Sequence, residues 1–88
     1  MKRICEDFMD YEEKDITYYI LDVENNTLLI HTLCIIKDEG IGYTNELCKL
    51  TAEQAQLLDN MSEKDCKDWC LKYQQDLPVI SRERKESE

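Results

Sequence analysis

Glycine and proline are scarce: Gly40 and Gly42 are the only glycines among 88 residues, and Pro78 is the only proline. So few glycines exclude a phosphate-cradling Gly-rich loop and a G-x-S-x-G nucleophile elbow, because both need small residues at fixed spacings. There is one histidine, His31, and it falls in the middle of an apolar run. A Cys-His catalytic pair would have to be built around a buried group, so His31 reads as a satisfied core or interface residue. No long hydrophobic run exists either. The longest, residues 28–36, is interrupted by His31 and Thr32 and is far shorter than the roughly 20 residues of a membrane helix.

Basic residues are outnumbered, 11 against 20 acidic ones, for a formal charge of −9. Most lysines stand singly, with small basic groups only at Lys2-Arg3 and at Arg82, Arg84 and Lys85. A phosphate backbone would be repelled by such a surface, so direct nucleic-acid binding is not expected. Met1 to Arg3 lead into Glu6, Asp7 and Asp10 rather than an apolar stretch. That start reads as neither a secretory signal nor a basic transit peptide, and a cytoplasmic location is expected.

What is present suits one small globular domain. A hydrophobic share of 42% is enough for a core, and 35% charged residues leave a solvated exterior. Chains of this size bury only about 60% of the surface they expose when unfolded, which leaves no room for a second domain. The five cysteines, Cys5, Cys34, Cys48, Cys66 and Cys70, are odd in number and read as reduced thiols, several of them on apolar faces.

Along the chain, residues 4–13 place Ile4, Cys5, Phe8 and Met9 at helical spacing, which predicts a short amphipathic N-terminal helix. Residues 16–23 are β-branched and aromatic and lead into Asn25-Asn26, a turn signal. Residues 27–36 form the best strand and are apolar on both faces, so a central position covered on both sides is expected. A turn at Lys37 to Gly40 leads to a weaker strand over 41–48, completing a three-stranded antiparallel meander.

Thr51-Ala52-Glu53-Gln54 is a capping box opening a helix over about 52–60. Ser62 to Asp65 is a second start signal, followed by Cys66, Trp69, Cys70 and Tyr73 at i, i+3, i+4 and i+7. The predicted fold is therefore α+β: the meander, two C-terminal helices packed on it, and the short N-terminal helix. Residues 1–80 form the domain. Pro78 ends the helical region, and 81–88, without an apolar residue, read as a mobile charged tail.

The most unusual local feature is acidic. Glu6, Asp7, Asp10, Glu12, Glu13 and Asp15 put six carboxylates and one lysine into ten residues. With Tyr11 among them they form the candidate partner-binding site, since carboxylates with an aromatic suit a basic protein surface. Asp22/Glu24 and Asp38/Glu39 extend that acidic surface if the fold brings them near. Cys66 and Cys70, four apart on a helix, lack the spacing of a zinc finger, and their apolar stripe explains both; no metal, cofactor or catalytic residue is assigned.

No segment matches a family motif residue by residue. In size, charge and composition the chain resembles small phage-encoded proteins that inhibit host defence enzymes, anti-CRISPR proteins and DNA mimics among them. The resemblance implies a non-enzymatic inhibitor or adaptor in the host cytoplasm that occludes a basic surface of a nucleic-acid-handling enzyme. The alternative is a homo-oligomeric structural or regulatory module, such as a homodimer, because a domain this small is hard pressed to cover both faces of strand 27–36.

Overall fold

A computed structural model describes the backbone of residues 2–9, 13–36 and 40–87, and the side chains over 16–33 and 42–85. Five strands, β1 (Lys2–Met9), β2 (Glu13–Asp22), β3 (Thr27–Ile36), β4 (Gly40–Lys49) and β5 (Val79–Ser87), form one antiparallel sheet in sequential order. Between β4 and β5 the chain forms helices α1 (Ala52–Asp59) and α2 (Glu63–Tyr73) and a single 3₁₀ turn, Gln74–Asp76. The α+β class and the antiparallel sheet with two helices agree with the sequence reading; the strand count does not. Among the described residues no helix is long and apolar enough to cross a membrane.

The N-terminal helix expected over 4–13 is replaced by β1 and the start of β2. The apolar spacing misleads for a simple reason: residues four apart share a face in a strand as well as in a helix. Ile4 and Phe8 are one such pair, and Cys5 and Met9 are the other. A ten-residue helix is marginal by itself, whereas pairing with β2, from Lys2↔Leu21 to Met9↔Lys14, supplies partners for the backbone of a whole strand.

The expectation of a mobile tail over 81–88 is also corrected, since Val79–Ser87 is the fifth strand, running along β4 from Cys48↔Val79 to Ile41↔Ser87. Backbone pairing rather than apolar burial makes this strand. Lys49 N–H donates to Pro78 O at 2.8 Å where the strand begins, and Arg82 bonds Glu46 across the ladder through Nε at 3.0 Å and Nη2 at 2.9 Å. Its run of exposed charge suits an edge strand, because charges discourage further sheets from adding there.

The β2–β3 turn closes as its asparagines predict. Asn26 adopts φ +52°, a left-handed conformation that Asn tolerates, and Asn25 Nδ2 donates to Asp22 Oδ2 at 2.8 Å. That side-chain bond holds the Asp22 carboxyl below the usual carboxylate range. At the start of β4, Gly40 sits at φ 115°, a value that requires glycine.

The capping box at Thr51 is complete: Gln54 N–H donates to Thr51 Oγ1 at 3.1 Å, and Thr51 N–H to Gln54 Oε1 at 2.9 Å. Thr51→Ala is expected to lower stability by about 1 kcal/mol, with Thr51→Ser retaining most of it, as read from urea midpoints. Ser62 caps α2 through one bond, its Oγ accepting from Asp65 N–H at 3.2 Å.

The core lies between one face of the sheet and the two helices. Cross-strand rows Leu21–Leu28–Cys48 and Tyr19–Ile30 meet Leu50, Ala55, Leu58, Cys66, Cys70 and Leu77, all buried. Of the predicted α2 stripe, Cys66 and Cys70 are fully buried and Trp69 is half-buried, but Tyr73 is exposed and its ring packs tilted against that of Trp69 with centroids 5.0 Å apart. β3 is central, as expected. It is covered on one face only, because two helices joined by three residues make a single layer.

Candidate functional site on the open sheet face

Side chains alternate along each strand, so every second residue of β2, β3 and β4 lies on the face that carries no helix. The register aligns them in rows: Ile20–Leu29–Leu47, then Tyr18–His31–Asn45, then Ile16–Leu33–Tyr43. All are half-buried, whereas every residue of the core belongs to the helix side, its loops or the helices themselves. Not one of these nine positions is charged, in a chain of which 35% is charged. Beyond β4 the row partners on β5 are Ser81, Glu83 and Lys85, so the apolar centre meets a polar border.

His31 stands at the middle of this face. Its Nδ1 donates to Asn45 Oδ1, and its ring lies between Tyr18 and Tyr43 at centroid distances of 6.0 and 5.4 Å. The reading of His31 as a hydrogen-bonded residue agrees with this geometry, although it is half-buried rather than core; among the described residues the thiols of Cys48, Cys66 and Cys70 lie on the opposite side of the sheet. Among the described residues no three His, Cys, Asp or Glu side chains form a group able to hold a metal ion. Tyr18 and Tyr19 divide as alternation demands: Tyr19 is core, with its hydroxyl 3.4 Å from Gln74 Oε1, and Tyr18 is on the open face.

On the helix side, where α2 ends, an open cleft of about 260 Å³ is lined by Ile30, Thr32, Thr44, Glu46, Gln74 and Gln75. Its polar groups are hydroxyls, amides and a carboxylate already paired with Arg82, and none forms a nucleophile with an adjacent base.

The acidic candidates are dispersed by the strand geometry. Glu6 and Asp7 are consecutive on β1, opposite Thr17 and Ile16, and Glu13 and Asp15 are on β2, opposite Ile36 and Cys34. Asp10, Tyr11 and Glu12 lie outside the described residues. With strands in place of the N-terminal helix expected over 4–13, no helix presents these residues. The register does place the strand ends Met9, Glu13, Ile36, Gly40 and Ser87 at one end of the sheet, away from α1 and α2. The acidic chain connections 10–12 and 37–39 join strands at this end, whereas Asp22 and Glu24 belong to the other.

The sequence signal for the open face was the double apolar character of 27–36, with His31 sharing a face with Leu29 and Leu33. Recognising that one of its faces stays uncovered requires knowing that both helices pack on the same side. No family model, curated protein or solved structure matches this chain.

Proposed function

We propose that this chain is a protein-binding inhibitor or adaptor, without a catalytic step of its own, that occludes a basic surface of a nucleic-acid-handling enzyme. The observation that carries this reading is the register that brings the strand ends flanking two acid-rich segments, Met9, Glu13, Ile36 and Gly40, to one end of the sheet. Segment 6–15 spans the β1–β2 connection, and Asp38-Glu39 belongs to the neighbouring β3–β4 connection. With a formal charge of −9 behind it, that end offers a negative field to a groove built for phosphates. The size and charge fit a phage-encoded protein acting in the host cytoplasm against a defence nuclease.

Electrostatic docking of this kind weakens with salt, because exposed charges are screened beyond about 8 to 10 Å at physiological ionic strength. Tagged protein incubated with lysate of its native or host cell is expected to retain a nucleic-acid-handling enzyme that elutes at moderate salt and is inhibited by the purified chain. Charge reversal at Glu6, Asp7, Asp10, Glu12 and Glu13 is expected to weaken that binding by about tenfold to a hundredfold. Unchanged affinity and unchanged salt dependence in the reversed variant would overturn the reading.

A further inference from the structure

The open sheet face needs an occupant, and three observations identify it. We infer that a second copy of this chain covers it, joining two sheets face to face in a two-fold-symmetric sandwich. The first observation is area. The whole sheet face, five strands about 4.8 Å apart and about ten residues long at about 3.3 Å each, spans roughly 800 Å², and its uncharged centre on β2, β3 and β4 roughly 240 Å² of that. A stable dimer buries about 800 Å² per partner, so the interface takes in the polar border as well as the apolar centre.

The second is the surface of the chain taken alone. It exposes 6344 Å², where a compact monomer of this length exposes roughly 5,400 Å². Its radius of gyration is 13.7 Å, against about 12 Å for a compact domain of this length. A one-sided core in an elongated body, 43 × 25 × 21 Å, goes with both excesses.

The third is charge. Two chains of −9 repel each other wherever carboxylates meet, yet the nine central positions of this face carry none. A basic partner would find no complement there, whereas an identical face is apolar opposite apolar by construction. Tyr18, Tyr43 and His31 at the centre, with Ser81, Glu83 and Lys85 on the β5 side, reproduce the arrangement of an interface, apolar and aromatic inside and polar at the border.

This inference is independent of the proposed function, because it uses a face of the sheet rather than its acidic end. The test is sedimentation equilibrium of the full chain between about 1 and 500 µM, a range that brackets dimer constants of ordinary strength. A dimer is expected for the wild type. Leu33→Lys, which sets two ammonium groups in the interface, is expected to raise the dissociation constant at least about 100-fold, while Leu57→Lys on the exposed face of α1 leaves it unchanged.

A wild type that is monomeric throughout the range would overturn the inference. So would a dimer that persists in a folded Leu33→Lys variant, or a monomer whose open face is instead occupied by a different protein. Should Leu33→Lys not fold, a soluble paramagnetic probe on the wild type decides the same question. The Leu29 and Leu33 methyls are expected to be shielded like those of buried Leu28, and broadening equal to that of Leu57 overturns the inference.

Discussion

At pH 8, Cys70 of the native protein is expected to react with iodoacetamide at least about a thousandfold more slowly than a thiol in an unfolded chain. Burial pushes this thiol up to about 12 from an ordinary value of 9.0, and the neighbouring Cys66 and Cys48 thiols oppose its ionisation further. The attacking species is the thiolate, whose population falls by about three decades over three pH units, an effect that the higher intrinsic nucleophilicity of a more basic thiolate only partly offsets. Complete exclusion from solvent slows the reaction beyond that, and labelling then follows unfolding of the domain. Peptide mapping of timed alkylation reads the rate; labelling of Cys70 within tenfold of the denatured control would show that the thiol is not in the core.

The same thiol fixes the alkaline behaviour. Its folded-state value lies above its unfolded one, so the unfolded chain releases the proton first and stability falls as pH rises through that interval. Stability is expected to be flat with respect to this group below about pH 8. It then declines between about pH 9 and 12, by as much as tenfold in the folding constant per pH unit. Cys48, pushed up to about 11 by burial and by the Glu46 carboxylate beside it, steepens that decline. Urea midpoints at pH 7 and pH 10 measure it.

Leu28→Ala is expected to lower stability by about 3 kcal/mol, because a fully buried leucine in a packed layer leaves a cavity when truncated. Leu28 lies between Leu21 and Cys48 in the row beneath the helices, with no exposed surface to relax toward. A domain of this length has a total stability of about 4 to 13 kcal/mol, so the loss is a large fraction of it. Leu29→Ala, one residue along on the open face, is expected to cost about 1 kcal/mol at concentrations low enough to keep the chain monomeric. Equal losses at the two positions in urea titrations would contradict a core confined to one side of the sheet.

Local signals were legible where they were chemically specific. The capping box at Thr51, the Ser62 cap, the Asn25-Asn26 turn and the β-branched run of 27–36 each depend on a few neighbouring residues, and each element forms where those residues place it. β1 and β5 were not legible in this way. Ile4, Cys5, Phe8 and Met9 satisfy a helix and a strand equally, and SRERKES carries no apolar residue at all; both segments become strands because β2 and β4 offer them unpaired backbone.

The candidate site divides along the same line. Composition by itself determined a formal charge of −9 and an apolar share sufficient for a core, and alternation by itself determined that Tyr18 and Tyr19, or Leu28 and Leu29, point to opposite sides. Only the tertiary structure decided which side is core. That choice depends on where a helical layer seeded by Thr51 and Ser62 returns to the sheet, and on an edge strand, β5, whose backbone bonds are made with residues more distant in the chain.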